Sequence, residues 1–277
     1  MSNARRLLEC WHGKGEAQMS NKNIDVLKRF ENGFQILIRS RSPYEVWSDI
    51  VEIFAITIQN SCTRHYNEND KLKSVWQNRE NQYLRTIKKY SSKEQKIIVQ
   101  MFALLVKEYS ENPYQDLLGK LYMTLGISNN KSGQFFTPFN VCQVMSEIVF
   151  DKKQIAKEVH TKGYIGVNDP SCGAGATLIS FAQKCSESFK KLDYKNHVYF
   201  VGQDIDLKCV QMCYIQLSLL GLAGYVIWAD TLTTPKVDFF KDNEKIWITP
   251  CYNMNVWQGR IMAHRLGMLM EKQTMPK

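Results

Sequence analysis

Two rhythms of apolar spacing run along this chain. Over the first 110 residues the spacing is helical: Ser42-Pro43-Tyr44-Glu45 reads as a capping box with proline at the first helical position, and Val46, Trp47, Ile50, Val51, Phe54 and Ile58 then trace one face. Ser92 to Gln95 open another helix, which runs through Ile97, Ile98, Met101, Phe102 and Leu105. Farther on, short continuous apolar runs mark buried strands at Tyr164 to Val167, Val198 to Gly202, Tyr225 to Ala229 and Lys245 to Thr249. Helical patterns start at Leu178 to Phe181 and span Cys209 to Leu222. Strand and helix thus alternate, which predicts a doubly wound, Rossmann-like α/β sheet with three βα crossovers and a ligand cleft at its carboxyl edge. Met254 to Lys272 reads as one helix with Val256, Trp257, Ile261, Leu266 and Met270 apolar, and 25 residues follow Tyr252. The sheet is therefore expected to stop at about four strands, or to be completed by a partner. Residues 1–20 read as a disordered tail, 21–110 as an all-helical N-terminal domain and 111–277 as an α/β domain with that cleft.

The chemistry concentrates where the first strand turns into a helix, at Asn168-Asp169-Pro170-Ser171-Cys172-Gly173-Ala174-Gly175. Gly173 and Gly175 allow close approach of the backbone to a ligand, and the helix that follows offers its exposed amides. A dinucleotide fingerprint asks for a third glycine and a ribose-binding acid about 20 residues on. Here Leu178 fills the third glycine position, and the next strand-end acid, Asp204, lies 29 residues beyond Gly175. Asp169 would repel a pyrophosphate and attract a cation, so the loop favours a positively charged cofactor. Further acids stand at the ends of the next strands, in Gln203-Asp204-Ile205-Asp206 and at Asp230.

Charge adds a second surface. Of a net charge of +9, residues 71–96 hold eight Lys or Arg against Glu80 and Glu94. Arg85, Lys88, Lys89 and Lys93 are the nucleic-acid candidates on that face, which reads either as a phosphate footprint or as an ordinary solvated helix surface. The eight cysteines are scattered, with Cys209 and Cys213 a helical turn apart and no zinc-like spacing, so reduced thiols and no metal are expected. No stretch of 18 apolar residues occurs, and Met1 to Ser20 lacks the apolar core of a signal peptide. A cytoplasmic protein with no membrane association is the expectation, its translation starting at Met1 or at Met19.

With these residues in view, the chain resembles the adenine-specific DNA methyltransferases, most closely the modification (methylase) subunits of type I restriction systems. The likeness covers about residues 110–252. Lys131-Ser132-Gly133-Gln134-Phe135-Phe136-Thr137-Pro138 is similar to the family's N-terminal cofactor motif and follows a family-like helix, Asp116 to Tyr122. Asp169 to Gly175 resemble the glycine loop, Gly202 to Asp206 the ribose-binding strand end, and Asp230-Thr231-Leu232 the acidic strand end near the adenine ring. The resemblance implies S-adenosylmethionine as cofactor. Gln134, Phe135, Phe136, Thr137 and Pro138, with Pro170, Ser171, Cys172, Gly173 and Gly175, would wall its pocket. Asp169 would face the methionine amino group, Asp204 hold the ribose, Ile205 pack on the adenine ring and Asp230 accept from its amino group. Double-stranded DNA is the implied substrate, with a specificity or nuclease subunit as partner.

The catalytic motif departs from the family pattern. Relatives carry Asn or Asp, Pro, Pro and an aromatic residue after the fourth strand, whereas this chain has Thr249-Pro250-Cys251-Tyr252. In the family an Asn or Asp oxygen and a proline carbonyl accept the hydrogens of the adenine amine while the ring stacks on the flipped base. Thr249, Pro250 and Tyr252 are thus the expected catalytic positions, with Thr249 a shorter and weaker acceptor. Losing one preorganised polar partner costs about 100- to 1000-fold in rate. The leading expectation is adenine-specific DNA methylation; its rival is a catalytically silent relative that binds cofactor and DNA in regulation, restriction or anti-restriction.

Overall fold

The computed structural model describes residues 26–62, 70–127, 136–190, 193–234, 244–254, 256, 257, 259, 260 and 263. The tail expected at 1–20 lies outside them, as do Gln134, Phe135 and most of the helix expected beyond Met254. The N-terminal part is helical: α1 (Val26–Leu37), α2 (Pro43–Cys62), α3 (Asp70–Ile87), α4 (Ser92–Glu111) and α5 (Leu117–Thr124). Helix α2 begins where the sequence places it, with Ser42 Oγ accepting the amide of Glu45 at 3.2 Å and Pro43 as first helical residue. At α4 the complete capping box is Ser91 with Glu94, one residue earlier than the pattern indicates. Arg41 then braces that box by donating to the Glu94 carboxylate at 2.7 Å.

Two further helices, α6 (Phe139–Val149) and α7 (Lys152–Lys162), lead into strand β1 (Ile165–Asp169). Then follow α8 (Ala176–Ser188), β2 (Val198–Asp204), α9 (Leu207–Leu219), β3 (Gly224–Trp228), β4 (Ile246–Ile248) and the short α10 (Pro250–Asn253). The sheet order is β1-β2-β3-β4, with β1 to β3 parallel. Helices α8 and α9 make the two βαβ crossovers of a Rossmann-like α/β domain. Burial alternates along β2: Val198 and Phe200 are fully buried in the core, while Tyr199 turns to the other face and meets Tyr252 and Trp257.

The fourth strand corrects the sequence reading, which expected a third crossover. β4 pairs antiparallel with β3, Tyr225 opposite Ile248 and Ile227 opposite Ile246. The reason is visible at the turn: Trp228 N–H, at the carboxyl end of β3, donates to Lys245 C=O at 2.9 Å. The chain re-enters the sheet at the edge it had just left, and a strand entered there can only run backwards. The outer edge of β4 is covered from the helical part. Ile248 N–H donates to Gln59 Oε1 at 3.2 Å, and Arg79 donates to Ile246 C=O at 3.1 Å with its guanidinium 4.6 Å over the Trp247 ring. One continuous core runs from Phe30 and Trp47 through Tyr109 and Leu118 to Phe200 and Trp247. Among the described residues no helix is long and apolar enough to cross a membrane.

Candidate cofactor site

The parallel register of β1, β2 and β3 brings three strand ends to one edge: Asp169 lies opposite Gly202, and Asp204 opposite Trp228. Between β1 and α8 the glycine loop turns back through Gly173 at φ 52° and Gly175 at φ 97°, backbone angles that an L side chain resists. Space is tight there as well. A Cβ on Gly173 would meet Phe136 Cδ1 at 3.1 Å, and one on Gly175 would meet Cys213 Sγ at 2.8 Å.

Each carboxylate at this edge holds backbone. Asp204 Oδ2 accepts the amide of Gly173 at 2.9 Å, and its Oδ1 accepts the amide of Asp206 at 2.9 Å. Asp169 accepts Ser171 N–H at 3.0 Å and the Thr177 hydroxyl, and Asp230 accepts Leu232 N–H at 2.9 Å. Thr231 Oγ1 donates to Pro170 C=O at 2.5 Å, tying the end of β3 to the loop. Burial pushes the Asp204 carboxyl above its ordinary 3.8, outweighing the two amides that favour its ionised form, and the nearby carboxylates of Asp206 and Asp169 push the same way. The edge is therefore short of positive charge, and each carboxylate oxygen retains a lone pair.

The expected pocket residues fall as follows. Asp169, Pro170, Ser171, Cys172, Gly173, Gly175, Asp204, Ile205 and Asp230 share the carboxyl edge. Cys172 is buried, its amide on Gln203 C=O at 2.9 Å, while Ile205 is 70% exposed beside Trp228, whose Nε1 donates to Ile205 C=O at 3.0 Å. Phe136 packs edge-on against Tyr122 at 5.2 Å and against the loop at Gly173, while Thr137 and Pro138 are exposed at the start of α6. Gln134 and Phe135 are outside the described residues.

Thr249, Pro250 and Tyr252 are not brought to this edge, which corrects the expectation that they act beside the cofactor. Because β4 runs backwards, its carboxyl end lies at the amino edge of the sheet. There Thr249 is 0% exposed, accepts the amide of Gly224 at 3.0 Å and donates to Leu222 C=O at 2.8 Å. Its hydroxyl thus both accepts and donates within the backbone there. Pro250 is the buried first residue of α10, and Tyr252 belongs to an aromatic cluster on the face of the sheet opposite Phe200, stacked on Trp257 at 6.0 Å and edge-on to Tyr225 at 5.5 Å.

The basic face also changes. Arg85, Lys88 and Lys93 are exposed around the turn between α3 and α4. Lys89 instead pairs with Asp49 at 2.9 Å, and Tyr90 donates to the same carboxylate at 3.0 Å. Arg79, counted in the positive excess, is buried against Trp247, which drops its pKa to about 10. Sequence reasoning missed Gln216, fully buried on α9, whose amide reaches the glycine loop at Ala174 C=O, 2.6 Å away. A polar residue amid the apolar run of α9 was its one signal.

A glycine loop with three strand-end acids on a parallel βαβαβ sheet defines a Rossmann-like domain for a small, positively charged cofactor. The chain belongs to the N-6 DNA methylase family, whose pattern matches residues 114–274. It is 27% identical over 131 residues to the methylase subunit of the type I restriction enzyme MpnII of Mycoplasma pneumoniae, an alignment taking in 46% of this chain and 20% of that subunit. The match thus spans about a fifth of that relative's length. Among solved structures, a class I S-adenosylmethionine-dependent methyltransferase of Listeria monocytogenes aligns at a TM-score of 0.47 and 14% identity, covering 77% of this chain and 55% of that one. The type I restriction-modification methyltransferase subunit of Streptococcus thermophilus aligns at 0.41 and 16%, covering 75% and 58%.

Proposed function

We propose that this chain binds S-adenosylmethionine at the carboxyl edge of β1 to β3 and serves as an adenine-specific DNA methyltransferase, as the cofactor-bearing methylase subunit of a restriction-modification system. One observation carries the reading: in a member of the N-6 DNA methylase family, Asp169, Asp204 and Asp230 stand at one sheet edge around a loop whose two positive-φ glycines resist replacement. The residues fit the cofactor. Asp204, braced by two amides, presents acceptor lone pairs to a ribose diol, Asp169 offers negative charge to an ammonium group, and Ile205 offers exposed apolar surface to a ring. When bound, S-adenosylmethionine supplies an electrophilic methyl group on a sulfonium centre.

The acceptors for the adenine amine are a separate matter, since Thr249 is sequestered at the opposite edge. They come from outside residues 249–252, which is consistent with a specificity or nuclease subunit completing the enzyme on double-stranded DNA in the cytoplasm. That same sequestration favours a second reading, a silent relative that binds cofactor and DNA only. Tritiated-methyl transfer to unmethylated DNA separates the two. Transfer that appears on adding genetically neighbouring proteins supports the subunit reading, and cofactor binding with no transfer under any combination supports the silent one.

A further inference from the structure

The amide of Gln216 joins four parts of the molecule. Its Nε2 donates to Ala174 C=O in the glycine loop at 2.6 Å and to Asp116 Oδ1 at 2.8 Å. Its Oε1 accepts the amide of Leu118 at 3.0 Å and the hydroxyl of Tyr109. A carboxamide has two donor hydrogens and two acceptor lone pairs, and all four are used in a site without solvent. Asp116 is itself fixed, capping α5 through Gly119 N–H at 3.0 Å. Tyr109 is on α4, Asp116 and Leu118 are at the start of α5, and Gln216 is on α9, so the network runs from the helical part into the loop.

What it holds there is one peptide group. The plane between Ala174 and Gly175 has its carbonyl on Gln216 and its N–H on Cys172 C=O at 2.8 Å. On one side it is bounded by Gly175, which with Gly173 one residue earlier is at positive φ, so these two bonds fix a peptide whose rotation a glycine would otherwise permit. We propose that Gln216 is a positioning residue for the cofactor loop, and that through it the packing of α4 and α5 sets how tightly the cofactor binds. This rests on the cofactor reading above. Tyr109 reaches the loop through Gln216, so its hydroxyl affects the cofactor at second hand.

The test compares the parent chain with Tyr109→Phe, Gln216→Met and the double variant, by calorimetric titration with S-adenosylmethionine and by hydrogen exchange of the loop amides. Tyr109→Phe is expected to weaken binding about 3- to 30-fold and to speed exchange at Gly173 to Gly175. Gln216→Met should weaken it at least as much, and adding Tyr109→Phe to it should cost nothing further. Ile98→Val, on the same helix as Tyr109 but outside the network, should lower the melting temperature and leave affinity at the parent's value. Parent-like affinity and loop exchange in folded Tyr109→Phe, or losses that add in the double variant, overturn the proposal. Should Gln216→Met fail to fold, Tyr109→Phe alone decides. Should the parent bind no cofactor, the cofactor reading fails, and loop exchange still decides whether Gln216 holds the loop.

Discussion

Asp204 Oδ2 accepts the backbone amide of Gly173 at 2.9 Å, so the acid that ends β2 and the glycine loop that follows β1 form one unit. An acid placed for a ligand is also the brace of the loop beside it. Asp204→Asn keeps the size and one acceptor but loses the charge, and it should weaken S-adenosylmethionine binding by about 1.5 to 3 kcal/mol, the range for a hydrogen bond to a charged group. The pH dependence has a definite sign. The Asp204 carboxyl is held above its ordinary 3.8 by burial, so on acidification it takes up a proton earlier than a free aspartate. Affinity for the cationic cofactor should fall as pH drops through that raised value, and the fall should be absent in Asp204→Asn. By the same linkage, the group's titration contributes stability that is present below 3.8 and lost as pH rises through the raised value.

Thr249 is a structural residue in this fold. Thr249→Val leaves Gly224 N–H and Leu222 C=O without their partner and should cost about 1 to 3 kcal/mol of stability, read by denaturant unfolding. Thr249→Asn with Cys251→Pro, which restores the family motif in sequence, should give no gain in methyl transfer, because the position faces the amino edge of the sheet.

The basic face proposed for DNA is narrower than the count of cations implies. Reversing Arg85, Lys88 and Lys93 to Glu should abolish retardation of any duplex and flatten the salt dependence of binding. Lys89→Glu, by contrast, places a carboxylate against Asp49 and should lower the melting temperature. Undiminished binding by the triple variant would make these residues solvated surface only.

The Glu94 carboxylate is held down to about 2 by the Arg41 guanidinium and the Ser91 amide and hydroxyl. Its contribution is therefore present above the ordinary 4.5 and lost as pH falls from there through about 2. Glu94→Gln should lower stability by about 1 kcal/mol at neutral pH, a modest value because the pair is partly exposed. Parent and variant melting curves should converge in acid.

Much of this architecture is legible in residue order, because its signals are local. The proline and capping serine at Ser42-Pro43 start α2, and apolar runs ending at Asp169 and Asp204 mark β1 and β2 with their acids. The direction of β4 was not legible, since Lys245 to Thr249 read the same in either direction. What reverses it is the return beside Trp228 and the long-range cover from Gln59 and Arg79. The same blindness hid Gln216, whose partners lie 42 to 107 residues away in sequence. It also placed Lys89 on the basic face, when Asp49, 40 residues earlier, holds it.

Whether the carboxyl edge of β1 to β3 holds S-adenosylmethionine is decided by isothermal titration of folded, cofactor-stripped protein. A saturable, single-site heat that weakens in Asp204→Asn is the expected result. No heat at millimolar cofactor would remove the cofactor from this edge, and an affinity unchanged by Asp204→Asn would remove Asp204 from its site.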